Sequence, residues 1–260
     1  MRITNRDKNI LMALNKLRVL DIETVTSLCG FTQYCKCANR LAILYENGYV
    51  NYNQQGITCK KYYYITQKGM NTIFPGEERV SKKGKRYIYY NKPPTFRQNN
   101  VNHEVLTGKV LSFVLKCNPE LTIDDFKTDR DMMACDFNKR KMFKHFSDLQ
   151  CEKYRIKIEV ELTRKNIDRL RRNISYNSKS YVQVWIAGST SVYNVLIAEK
   201  KRYPQFQIYV IKMEKLEEEK IILSELYNEL LGKNPQLLEK IKEIEMLKIQ
   251  RQKKQTTKAF

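Results

Sequence analysis

The spacing of apolar residues changes within the first 75 positions, and that change restricts the fold more than any other feature of the chain. TNRDKNILMALNKL opens on Thr4 as an N-cap and repeats apolar side chains at Ile10, Leu11, Leu14 and Leu17, the period of an amphipathic helix. DIETVTSLCG, Asp21 to Gly30, reads as a short second helix with an acidic start and a glycine stop. TQYCKCANRLAILYENG reads as a third, capped by Thr32 and closed at Gly48. The period then drops to two: YVNYN and CKKYYYI alternate as strands around QQGIT, with Gly56 at the tip. Three helices followed by a hairpin is the order of a winged helix-turn-helix.

In such a module the third helix enters the major groove and its first turns read base edges. Cys35, Ala38, Leu41 and Leu44 share one face and are expected in the core, which leaves Gln33, Tyr34, Lys36 and Arg40 to face DNA. Gln pairs bidentately with adenine and Arg with guanine. Lys60 and Lys61 on the hairpin are expected to hold phosphates. The formal net charge of +20 points to a polyanionic partner. Residues 1 to 100 carry 17 Lys or Arg against 6 Asp or Glu, so about half of the excess lies on and just after these elements. The alternative is a scaffold for protein contacts in a chain whose Lys, Asn, Ile and Tyr content reflects an AT-rich genome.

Several classes are excluded or disfavoured. No segment approaches the roughly 18 consecutive apolar residues of a membrane span, and the amino terminus lacks a signal-peptide pattern, so a cytoplasmic protein is expected. Seven cysteines form no C-x-x-C pair and read as reduced thiols. His103 and His145 are far apart, which removes the paired-histidine metal site of rolling-circle initiators and most relaxases; His145 is close enough to Asp148 to approach a shared site. No G-x-x-x-x-G-K loop is present, so no nucleotide is expected. From Gly76 to Asn100 helical periodicity disappears, and Lys82, Lys83, Lys85, Arg86, Lys92 and Arg97 accompany a Pro-Pro pair. This stretch reads as a basic connector with a short strand at YIYY, and Tyr87, Tyr89 and Tyr90 are available for stacking or packing.

A second domain is expected over residues 101–213. Its order is helix (VNHEVLTGKVLSFVLKC), three strand-like pieces (LTIDDF, KMFKHFSDL, YRIKIEVEL), helix (NIDRLRRNISYN), strand (YVQVWIAG), helix (SVYNVLIAEKKR) and strand (QFQIYVIKM). That order fits a layered α/β domain with a mixed sheet. In YRIKIEVEL, alternation puts Ile156, Ile158, Val160 and Leu162 on one face and Lys157, Glu159, Glu161 and Thr163 on the other. Asp148 lies eleven residues before Glu159, a separation that a hairpin folds side by side. Carboxylates of this kind suit Mg²⁺ or Mn²⁺, which can activate water and neutralise charge on a phosphodiester. The plain alternative is a half-exposed strand whose acids pair with Lys157, Arg169 or Arg172.

A winged helix, then a helix, Asp148 and Glu159-Val160-Glu161 on a strand, then a polar helix resembles the replication-relaxation family of bacterial plasmids and mobile elements. Its second domain is similar to the restriction-endonuclease fold, whose signature is Asp, a gap, then Glu-x-Lys. The resemblance covers about residues 1–213. It implies Asp148 and Glu159 as metal ligands and Glu104 as an additional acid. Glu161 stands where the catalytic lysine belongs, and Lys157 or Lys165 would have to supply the positive charge.

Residues 214–260 read as a helical, basic tail. One helix carries Leu216, Ile221, Leu223, Leu226 and Leu230 and breaks at Gly232 and Pro235, and a second starts near Gln236. The expected fold is therefore α+β or α/β: a winged helix-turn-helix over 1–75, a basic linker over 76–100, an endonuclease-like mixed-sheet domain and the tail. The expected function is sequence-specific binding of double-stranded DNA in plasmid or mobile-element replication, conjugative transfer or their regulation, with self-association or replication and transfer proteins as further partners. The alternative is a metal-dependent DNA nickase or endonuclease using Asp148 and Glu159, with Glu161 and Lys165 as further catalytic candidates.

Overall fold

The computed structural model describes residues 1–54, 59–81, 85–135, 145–163, 165–177, 181–236 and 239, and has a mixed α+β architecture. The chain divides into two compact units, Met1–Arg130 and Asp131–Phe260.

The first unit begins with α1 (Asn5–Leu17), β1 (Leu20–Asp21), α2 (Ile22–Leu28) and α3 (Tyr34–Glu46). Thr4 caps α1 reciprocally: the Asp7 N–H donates to Thr4 Oγ1 and the Thr4 N–H donates to Asp7 Oδ2. Asp21 caps α2 through the Thr24 N–H. The third helix starts one residue later than its composition suggests, with Gln33 at the N-cap position and no side-chain cap. Ile10, Leu11, Leu14 and Leu17 are buried as their spacing requires. On α3 the buried residues are Cys37, Leu41 and Leu44, whereas Cys35 is exposed. The expected face was displaced because the stripe runs 37, 41, 44, the true three-to-four-residue step from the helix start.

Strands β2 (Val50–Asn53) and β3 (Tyr62–Ile65) are antiparallel, and β1 pairs with the other edge of β3, giving the order β1-β3-β2. The expected tip at Gly56 lies outside the described residues. A helix unforeseen from the sequence follows, α4 (Gln67–Ile73), capped by Thr66 through the Gly69 N–H. Gly69 sits so close to the preceding chain that a Cβ there would lie 2.3 Å from the Tyr49 carbonyl oxygen and 2.7 Å from Ile65 Cγ1. The stretch read as a connector contains an antiparallel ribbon, β4 (Glu77–Val80) with β5 (Arg86–Tyr89).

Helix α5 (Val101–Cys117), expected at the head of the second domain, falls in the first unit, where it packs on α1, β1 and α2. Arg18 explains the attachment. It follows α1 at φ 64°, an uncommon backbone for a non-glycine residue, and its guanidinium donates to Glu104 at 2.7 Å and Asp129 at 2.8 Å. A short strand, β6 (Phe126–Thr128), and the start of α6 (Asp129–Cys135) complete this unit. Arg130 adds bonds to the Asn15 carbonyl and side chain at 2.8 and 3.1 Å.

In the second unit β7 (Leu149–Cys151) and β8 (Ile156–Glu161) form an antiparallel hairpin. Strands β9 (Val182–Ala187) and β10 (Ile208–Lys212) then run parallel to β8, joined through α7 (Ile167–Tyr176) and α8 (Thr190–Arg202). The order across these strands is β10-β9-β8-β7, a mixed sheet. All of β9 is buried and nearly all of β8, as for strands covered on both faces. Leu170 and Ile174 of α7 and Val192 and Leu196 of α8 pack with Trp185, Ala187 and Ile208. Much of the expected KMFKHFSDL strand lies outside the described residues. The tail helix, α9 (Leu223–Lys233), begins well after Glu214; Leu216 and Ile221 are buried from outside it, and nearly all of the expected second helix is undescribed.

Gly69→Ala is expected to destabilise the first unit by about 2–3 kcal/mol, because the added methyl meets a backbone oxygen that cannot rotate away. Gly232→Ala, in open space on α9, is the matched control and should be neutral or gain up to about 1 kcal/mol. Chemical denaturation of both variants measures the difference.

Candidate nucleic-acid interface and carboxylate cluster

The first turns of α3 carry the residues expected to contact DNA. Gln33, Tyr34 and Lys36 are exposed there, Tyr34 at 53 %, together with Cys35 and Asn39. Arg40 is not among them. Its guanidinium turns back onto α1 and grips Asp7, with Nε and Nη2 each 2.5 Å from a carboxylate oxygen. Asp7 is fully buried, so Arg40 holds α3 against α1 and is not presented for base reading. Burial alone would raise the Asp7 pKa, but hydrogen bonds from Arg40 and Thr4 outweigh it and leave the carboxyl below its usual range.

Behind this helix Tyr52 lies between Tyr45, at 4.8 Å, and Tyr63, at 5.7 Å. Lys61 sits over the Tyr52 ring at 4.4 Å, a cation–π contact that aims its ammonium from a fixed base. Lys60 pairs with Glu23 at 3.1 Å, both more than half exposed, and so weakly held that a phosphate can displace the partner. Arg86 is exposed on β5 with Glu78 at 3.6 Å, and Lys85 is exposed just before it; Lys82 and Lys83 lie outside the described residues.

The carboxylates of the second unit are held differently from the expectation. The register Leu149↔Ile158 brings Asp148 alongside Glu159, as the eleven-residue spacing required. Asp148 Oδ2 accepts the Val160 N–H at 2.7 Å, taking the place of a strand carbonyl at the end of the hairpin. Glu159 and Glu161 are 2 % and 4 % exposed, which excludes a solvated strand face. They align with Trp185 and Ala187 of β9, on the face that α7 covers. Glu159 Oε1 accepts Asn177 Nδ2 at 3.0 Å and lies 2.6 Å from His145 Nε2. Glu161 Oε2 lies 2.5 Å from Lys165 Nζ, so Lys165 neutralises this acid. Burial pushes the Glu161 carboxyl up, Lys165 opposes it, and Asp148 and Glu159 add to it by repulsion, so the three acids share one field. Lys157 sits 4.9 Å from the Tyr181 ring, its pKa lowered by burial, which outweighs the pull of Glu159 and Glu152.

Glu104, the additional acid that the resemblance implies, belongs to the first unit. It is bonded to Arg18, with its carboxyl raised by burial against that arginine's pull. Ser147 Oγ and Asn177 Oδ1 are buried without a hydrogen-bond partner among the described residues. Oxygens of this kind have the chemistry that Mg²⁺ prefers, yet among the described residues no three His, Cys, Asp or Glu side chains are grouped to hold a metal ion. Asn177 and Asp7 gave no signal in the sequence, since each acts on a group 18 or 33 residues away. Among the described residues, no helix is long and apolar enough to cross a membrane. Comparison with known proteins finds no matching family, no matching curated sequence and no matching solved structure.

Because the folded-state pKa of Asp7 is depressed, its contribution is present above the ordinary carboxylate range and lost as pH falls through the folded value. Asp7→Asn should cost about 2–3 kcal/mol at pH 7, with the gap to wild type closing below about pH 4 in urea titrations. Glu161 has the opposite sign: its raised pKa means that ionisation opposes folding as pH rises. Glu161→Gln should gain thermal stability relative to wild type between pH 4 and pH 8, and a loss at pH 8 would show that the Lys165 pair is net stabilising.

Proposed function

We propose that the protein binds double-stranded DNA in a sequence-specific manner, with the first unit acting as a winged helix-turn-helix. The observation that carries this reading is the exposed N-terminal end of α3, where Gln33, Tyr34 and Lys36 project from a helix braced on its other side by the Arg40–Asp7 pair. The β1-β3-β2 sheet supplies the hairpin beside it, with Lys60 and Lys61 as phosphate contacts, and the net charge of +20 favours the same partner. The resemblance to the replication-relaxation family suggests plasmid or mobile-element replication, transfer or their regulation as the setting, and the mixed sheet of the second unit suits an endonuclease-like domain used for assembly or for holding DNA.

Binding is tested by fluorescence anisotropy with duplexes drawn from DNA flanking the protein's own reading frame. Lys36→Ala should weaken binding by about tenfold, in line with the 1–3 kcal/mol of a base-edge contact, and Gln33→Ala should alter preference among duplexes. Wild-type affinity in Lys36→Ala together with Lys60→Ala and Lys61→Ala would remove this face as the interface.

Metal-dependent nicking is the second reading, favoured by the cross-strand pairing of Asp148 with Glu159 and by the unpartnered Asn177 Oδ1 on the amide that bonds Glu159. Asp148 and Glu159 would hold the ion, and it would supply Lewis acidity toward a phosphodiester. Supercoiled plasmid with Mg²⁺ or Mn²⁺ is expected to be bound and left uncut; nicking lost in Glu159→Ala would replace the binding-only reading.

A further inference from the structure

Strands β4 and β5 pair with each other, and all eight of their residues are exposed. A lone two-stranded ribbon is marginal in water, and this one also presents Val80, Tyr87, Ile88 and Tyr89 to solvent. The register Glu77↔Tyr89, Glu78↔Ile88, Arg79↔Tyr87 and Val80↔Arg86 sorts the side chains. Glu77, Arg79, Tyr87 and Tyr89 share one face, on which Arg79 lies over the Tyr89 ring at 3.7 Å and bonds Glu77 at 2.9 Å. At the ribbon's base, Gln67 Nε2 donates to the Asn91 carbonyl at 2.8 Å and ties its exit to α4.

We propose that this ribbon is a stacking platform for an unpaired DNA strand, so that one unit holds duplex through α3 and single strand through β4-β5. The proposal rests on the DNA-binding reading above. Tyr87 and Tyr89 stand two residues apart on one strand, about 7 Å, which suits the bases of an extended single strand and not the 3.4 Å rise of a duplex. Duplex bases bury the ring faces that tyrosine would need, whereas unpaired bases offer them without regard to sequence. Both glutamates of the ribbon are paired, Glu77 with Arg79 and Glu78 with Arg86, while the exposed Lys85 and Lys92 add cations to serve a phosphate backbone. An acidic protein segment would satisfy those lysines but gives the paired tyrosines nothing to stack on.

The test uses the full-length chain and anisotropy with three labelled probes: oligo-dT, a blunt duplex, and that duplex with a single-stranded extension. Wild type should bind oligo-dT, and bind the extended duplex more tightly than the blunt one. Tyr87→Ala with Tyr89→Ala should weaken oligo-dT binding at least tenfold and leave blunt-duplex binding within twofold, while Tyr87→Phe with Tyr89→Phe retains both. Lys36→Ala should do the reverse, weakening the duplex alone. Duplex binding without oligo-dT binding, or unchanged oligo-dT binding in the double alanine variant, overturns the proposal and leaves the duplex reading standing. Failure with every probe overturns both. Sedimentation showing an oligomer that the double alanine variant abolishes, without loss of oligo-dT binding, makes the ribbon a self-association face and also overturns the proposal.

Discussion

Arg18 is the residue on which the first unit turns. Its backbone lies in a region that costs a non-glycine residue about 1 kcal/mol or more, and it makes the bend that takes the chain from α1 into β1. That conformation persists because the side chain it aims is held at both ends, by Glu104 from α5 and by Asp129. Removing either acid would leave a mostly buried guanidinium short of a partner, the costly side of the hydrogen-bond balance. The three-helix core and residues 101–130 are therefore one folding unit, joined through a strained residue and two carboxylates.

The second unit solves a different problem. Parallel strands covered on both faces are usually near-continuous apolar runs, and β9 comes close to one. Strand β8 instead buries two acids beneath α7, at an expense met by His145, Asn177 and Lys165. Each acid has a neighbouring donor or cation, yet Ser147 Oγ and Asn177 Oδ1 stay without a partner among the described residues, so the network is only partly satisfied. The Glu161 carboxyl stays raised because burial and the neighbouring acids outweigh the pull of Lys165.

The sequence was readable where the signal was local. The periods of α1, α2 and α3, the Thr4 and Asp21 caps, and the pairing of Asp148 with Glu159 all depend on residues within a dozen positions of each other. Alternation also placed Glu159 and Glu161 together, but alternation says only which face a residue is on, and the cover that α7 provides cannot be read from β8 itself. Helix α4 escaped because Thr66 and Gly69 resemble turn residues when the carbonyl of Tyr49 that Gly69 must approach is not in view. Arg40 was misplaced for the same reason: its partner lies 33 residues earlier, and an arginine midway along a helix is equally suited to bind a carboxylate or a base.

The Arg40–Asp7 pair has a consequence for how ionic strength acts on the molecule. Mobile ions screen charges across water and barely reach a carboxylate that is fully buried. The docking of α3 onto α1 is thus insulated from the medium, while the exposed cations Lys36 and Lys60 are bathed in it. For the polyanion proposed as partner, salt would weaken binding by restoring the counterion atmosphere without loosening the helix that presents the surface. The buried pair and the outward cations thus differ in their sensitivity to the same solvent variable, although both are built from charged side chains.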